Sequence, residues 1–132
     1  MPLWQKLFCL AVAGAIGTIA RWGTNELVKS VVGETFPWGI VVINALGCFL
    51  FGVLWILAER NLVHDEARLV GLTGFLGAYT TFSTFAFDSA LRINQGRIDL
   101  AIGNIVLQNM LGLIAVFAGF SFGRWVSGAI IG

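Results

Sequence analysis

Three stretches of this chain, residues 35 to 58, 69 to 87 and 100 to 123, contain no charged side chain, and residues 7 to 25 are interrupted only by Arg21. A helix needs about 20 mainly apolar residues to cross the hydrocarbon of a bilayer, and charges inside it are costly. The pattern therefore predicts four transmembrane helices, roughly residues 4 to 28, 37 to 59, 67 to 91 and 98 to 126, joined by loops too short to be domains. Residues 1 to 132 then form one all-α membrane domain. With 58% hydrophobic and 11% charged residues against about 25% charged in soluble domains, the chain cannot cover a water-exposed surface, which nearly excludes a water-soluble enzyme. A formal charge of +1 with scattered cations provides no basic face for nucleic acid. Cys9 and Cys48 sit within apolar runs and read as small buried hydrophobes, with neither a disulfide framework nor a zinc site indicated. The opening resembles a secretory signal in its cation and apolar run, but the first span is expected to remain uncleaved.

If the helices alternate in direction, Lys6, Arg60, Arg68 and Arg124 lie on one side of the bilayer and Lys29, Arg92 and Arg97 on the other. Four cations against three give almost no orientation signal. The alternatives are a weakly biased single topology and insertion in both orientations. Two oppositely oriented copies would form an antiparallel pair about an axis in the membrane plane, the two-chain counterpart of an inverted repeat.

Polar groups at membrane depth need partners, which makes them functional candidates. Asn44 stands in the uncharged second span, and its amide suits either helix association or an anion site. Gln108 and Asn109 in the fourth span allow the same two readings. The third span is poor transmembrane helix: Gly71, Gly74 and Gly77 recur every three residues, followed by Thr80, Thr81, Ser83 and Thr84. Such a segment is expected to unwind, and broken backbone at membrane depth requires protein, water or an ion to satisfy it. No Asp or Glu lies in the middle of any span, so no carboxylate is available for proton-coupled or cationic exchange; Glu26, Glu59 and Asp88 lie near helix ends. An aromatic ring has a positive edge, so Phe82 and Phe85, three residues apart, could present edges to an anion, or could simply pack. The hydroxyls and amides would replace the hydration of a small anion.

The run Gly74-Phe-Leu-Gly77-Ala-Tyr-Thr80-Thr81-Phe82-Ser83-Thr84-Phe85 closely resembles the third-helix signature of the Fluc (CrcB) family of fluoride channels. Pro37-Trp38-Gly39 with Asn44 resembles that family's second helix, and Gly14 to Trp22 its first. The resemblance implies an antiparallel, dual-topology homodimer of four-helix subunits with two fluoride pores, passively exporting cytoplasmic fluoride across a bacterial inner membrane. It further implies that Phe82, Phe85 and Asn44 line the pores with Ser83 and Thr84 beside them. Main-chain carbonyls of Gly77 and Thr80 would hold a structural sodium ion on the dimer axis. The chain departs from the family pattern at Ala78, at Ala86-Phe87-Asp88, at Ile40, and at Ile105, Asn109 and Leu113, where some members carry a polar fourth-helix track; Asn109 is the candidate to replace part of it. Two rivals are a proton-coupled exporter, for which the first span lacks the carboxylate, and a purely structural membrane subunit.

Overall fold

A computed structural model describes residues 1–132 as helices with no strand. Helix α1 spans Leu3–Val32 and α2 spans Trp38–Glu59. The next segment is a succession: α3 (Asp65–Leu69), a π-helical stretch (Val70–Leu76), α4 (Gly77–Tyr79), an extended step at Thr80 and Thr81, and α5 (Phe82–Asn94). Helix α6 spans Ile98–Ile131. Helices α1, α2 and α6 are each long and apolar enough to cross a membrane. At 1.5 Å per residue the 22 residues of α2 rise about 33 Å, close to the ~30 Å hydrocarbon thickness. The boundaries expected from the charge pattern lie inside α1 and α6 and within a residue of α2.

The third expected span is the exception, because its helix is divided in two. Its direction follows from its neighbours. Gly112 lies against Cys48, Gly119 against Gly52 and Gly123 against Ile56, so α2 and α6 run parallel and the segment between them must return through the same thickness. Likewise Gly74 meets Ala13, Ala78 meets Gly17, and Tyr79 meets Thr24, so this returning segment runs parallel to α1. The charged ends agree with alternation. The N-terminal amine pairs with Glu66 at 2.7 Å, a hydrogen bond that holds that carboxyl below the usual range, while Arg92 donates to the Thr35 carbonyl at 3.2 Å across the opposite end.

Helices α2 and α6 make the largest interface of the molecule. It forms because glycine faces backbone: a Cβ on Gly119 would strike the Phe49 carbonyl, and one on Gly52 the Val116 carbonyl. Without a hydrophobic driving force between helices in lipid, this close approach supplies the dispersion contact that holds them together. Around the break, Ile40, Ile43 and Tyr79 form a small core on which Ala20, Phe75 and Phe85 pack. Tyr79 also stacks on Phe75, with ring centroids 5.8 Å apart, and its hydroxyl donates to Thr24 at 3.2 Å. The last helical residue before the break is thereby anchored to α1 and α2.

Candidate functional site

The expected unwinding of the third segment is present, and local chemistry explains where it falls. Gly71 and Gly74 lie in the π-helical stretch, whose last turn closes with the Gly77 amide donating to the Leu72 carbonyl, five residues back. At Thr80 the chain becomes extended, with ψ of 158°, while its amide and its hydroxyl both donate to the Leu76 carbonyl, at 3.0 and 2.9 Å. Gly47 has no side chain where the Thr80 methyl sits, which lets the break lie directly on α2. Thr81, also extended, caps α5: its hydroxyl oxygen accepts from the Thr84 amide at 3.2 Å and its hydroxyl donates to the Thr84 oxygen at 2.9 Å.

These substitutions determine which carbonyls are left over. In a continuous helix the Thr81 amide would donate to Gly77 and the Thr84 amide to Thr80. Here Thr81 donates instead to the Asn44 side-chain oxygen at 2.9 Å, and Thr84 donates to the Thr81 hydroxyl. The main-chain oxygens of Gly77 and Thr80 therefore accept no backbone hydrogen bond. Gly77 itself has ordinary α-helical dihedrals, φ −62° and ψ −34°, so its backbone does not require glycine. A Cβ there would meet only the Leu72 carbonyl, at 3.6 Å, which leaves its outer side free within the protomer.

Asn44 holds the break from the other side. Its amide nitrogen donates to the Thr81 carbonyl at 3.2 Å and to the Gln108 side-chain oxygen at 2.7 Å, while its oxygen takes the Thr81 amide. All its donor capacity is engaged within the protomer, as helix association requires; an anion ligand would have to draw a donor from Thr81 or Gln108. Two residues of this network, Asn104 and Ser89, were missed in the sequence. Gln108 donates to the Asn104 oxygen at 2.9 Å, Asn104 donates to the Ser89 hydroxyl at 2.9 Å, and Ser89 donates to the Phe85 carbonyl at 2.9 Å. Asn104 could have been suspected from its four-residue spacing to Gln108 on one helix face, whereas nothing in the sequence pointed to Ser89. Thr81, whose backbone is the centre of the arrangement, stood in the sequence only as one of the hydroxyl residues that follow the glycines.

A cavity of about 300 Å³ opens beside the break, lined by Asn44, Thr80, Thr81, Phe82, Phe85, Gln108 and Asn109 together with apolar groups of α2 and α6 that include Cys48, Phe51 and Val116. It brings together four of the expected pore residues: Asn44, Phe82, Phe85 and Asn109. The two rings lie 5.6 Å apart at 57°, yet their surroundings differ. Phe85 rests on the small core, whereas Phe82 is 78% exposed. Asn109 is exposed and donates to its own helix, to the Ile105 carbonyl at 2.7 Å. Thr84 does not line this cavity; it faces a second one, of about 250 Å³, with Asn25, Lys29, Glu34, Asp88 and Arg92. Ser83 is exposed, 3.5 Å from the Thr81 hydroxyl, and lines neither cavity. The first cavity contains no ionisable side chain other than the Cys48 thiol; the second carries charges of both signs, with Lys29 3.3 Å from Glu34. No cluster of His, Cys, Asp or Glu able to hold a metal occurs.

Parallel-paired helices around a broken segment, with an uncharged, mainly apolar cavity carrying a few neutral polar groups at the break, define an all-helical membrane protein. The chain belongs to the CrcB-like protein family, described as camphor resistance (CrcB), which matches residues 8–120; it is a family of ion channels and not of enzymes. A relative from Nitrosococcus oceani named fluoride-specific ion channel FluC is 49% identical over 123 residues, covering 92% of this chain and 98% of the relative. A relative of the same name from Solidesulfovibrio magneticus is 50% identical over 123 residues with the same coverage, and one from Salinibacter ruber is 38% identical over 114 residues, 86% of each chain.

Proposed function

We propose that this chain is a fluoride channel that passively exports cytoplasmic fluoride across a bacterial inner membrane. The observation that carries the reading is the uncharged cavity at the break, where two phenylalanine rings, Asn109 and the amide–hydroxyl network meet with no carboxylate present. A carboxylate would repel an anion and attract a proton or cation; ring edges, hydroxyls and amide hydrogens replace hydration around a small anion without adding charge. The second cavity, where Lys29 and Arg92 stand with Glu34 and Asp88, lies on the other side of the Thr84–Phe85 turn, and its charged groups keep that end hydrated.

The working unit is an antiparallel, dual-topology homodimer with two pores. Phe82 and Asn109 stand on an outer face where lipid would leave the Asn109 amide poorly satisfied, and a second copy of the chain would close the cavity over them. The near-equal loop cations permit both orientations. In such a pair the freed Gly77 and Thr80 carbonyls of both copies would hold a sodium ion, and neutral oxygens without carboxylates suit a monovalent cation better than calcium or magnesium. That ion would supply a fixed positive charge between the two anion paths.

Purified protein in liposomes loaded with fluoride tests the reading. A fast passive efflux supports the channel; efflux only with an imposed proton gradient would make the chain a coupled exporter, and no efflux would leave it a structural subunit. Thermal unfolding of the detergent-solubilised dimer in sodium against a large organic cation tests the ion site, with a higher midpoint expected in sodium.

A further inference from the structure

The side-chain network around the break has a direction, and both its ends lie on the segment that carries the two phenylalanines. At one end is the Thr81 amide, which can only donate; at the other is the Phe85 carbonyl, which can only accept. Between them run Asn44, Gln108, Asn104 and Ser89, from α2 through α6 and back to α5. The amide orientation of every member follows from the first contact. Because the Thr81 N–H requires an acceptor, Asn44 must turn its oxygen to it, which turns its nitrogen to the oxygen of Gln108, whose nitrogen then meets the oxygen of Asn104. The nitrogen of Asn104 meets the Ser89 hydroxyl, whose hydrogen reaches Phe85.

We propose that Gln108, with Asn104 behind it, is a positioning residue for anion passage: it holds Asn44 in the one orientation that ties down the Thr81 amide, and so sets where Phe82 and Phe85 stand. The proposal rests on the channel reading given above. Burial supports it. Asn104 is fully buried, and Thr81 and Ser89 are each 5% exposed, so these groups have no water to turn to if a neighbour is removed. Asn109, one residue from Gln108, bonds only within α6 and is outside the network.

The test is a double-mutant cycle of Gln108→Met and Asn44→Leu, read as fluoride efflux per dimer from liposomes, with dimer content measured by size-exclusion chromatography. Gln108→Met should slow efflux about fivefold to tenfold, the effect of one or two hydrogen bonds. Because Gln108 acts through Asn44, the double variant should be no slower than Asn44→Leu alone. Unchanged efflux in Gln108→Met, or losses that multiply in the double variant, would overturn the proposal. Should Gln108→Met not assemble, Ser89→Ala and Ser89→Thr decide: loss with alanine and recovery with threonine, which keeps the hydroxyl, support the network, and equal efflux in both overturns it. Amide hydrogen exchange of the segment 81–85 separates this from the channel reading itself. A wild-type protein silent for fluoride would refute the channel, whereas the clamp would stand on faster exchange at Thr81 in Gln108→Met or Ser89→Ala and fall on unchanged exchange.

Discussion

Helix α6 carries Asn104, Gln108, Asn109 and Ser121 through 34 residues without a break, whereas the segment from Asp65 to Asn94, equally polar in its middle, is divided by a π-helical stretch and an extended step. In α6 the backbone satisfies itself and the polar side chains look outward for partners, some finding them on α2 and α5 and others on α6's own carbonyls. In the third segment the side chains have displaced the backbone's own bonds, and the carbonyls of Gly77 and Thr80 are among those left over at the end of the helix. Polarity at membrane depth can thus be carried by side chains on an intact helix or by the backbone of a broken one. Here the first arrangement holds the second in place, because Gln108 of α6 and Asn44 of α2 fix the amide of Thr81.

The sharpest test of that contrast lies at the two rings beside the break. Phe82→Ile and Phe85→Ile should each reduce liposomal fluoride efflux by at least about tenfold while the dimer persists, since apolar volume is roughly kept. The two should separate on stability: Phe85 packs on Ile40, Ile43 and Tyr79, so its replacement should lower the unfolding midpoint, while replacement of the exposed Phe82 should not. Normal efflux in both variants would return the rings to packing and remove the break from function.

Orientation comes next in size. Two lysines added to either set of loops should bias insertion and lower cellular fluoride resistance when that variant is expressed alone, and co-expression of oppositely biased variants should restore it. Full resistance from one strongly biased variant would show that a single topology suffices.

Two valines compare the intact interface with the broken segment directly. Gly119→Val drives a side chain into the Phe49 carbonyl and should cost about 1–3 kcal/mol of stability, measured by thermal unfolding, as overpacking does. Gly77→Val has room inside the protomer, so the monomer should fold and the defect should appear only in dimer formation and in sodium stabilisation. A dimer that still gains stability from sodium in Gly77→Val would place the ion elsewhere.

Thr80→Ser should have the smallest effect, about 1 kcal/mol or less in unfolding for the methyl withdrawn from Gly47, with efflux unaltered. The Thr80 hydroxyl already donates to Leu76, and serine retains that bond, while the proposed ion contact uses the carbonyl. A large loss in Thr80→Ser would mean that the side chain, rather than the backbone, is the working group.

Much of this arrangement was legible in the linear chain. Uncharged runs of helix length and an almost complete absence of mid-span charge point to an all-helical membrane protein, because bilayer hydrocarbon admits only helices and closed barrels, and barrel strands are shorter and alternate in polarity. Glycines at three-residue intervals followed by hydroxyl residues marked the break and the neighbourhood of Phe82 and Phe85, since those properties are local. Contacts between segments distant in sequence were beyond it. Nothing in the spacing of Asn44 and Gln108, 64 residues apart, tells that their amides meet at 2.7 Å, or that Asn44 spends its donors inside the protomer. Nor could the hydroxyls near the break be sorted: Thr81 became the cap, Thr84 turned to the charged cavity, and Ser83 was left on the surface. Those outcomes depend on how closely α2 and α6 approach through Gly52 and Gly119, and on the orientation that one backbone amide imposes on a chain of three side-chain amides. Local sequence determines where a helix can fail; only the packed tertiary structure decides which groups then satisfy one another.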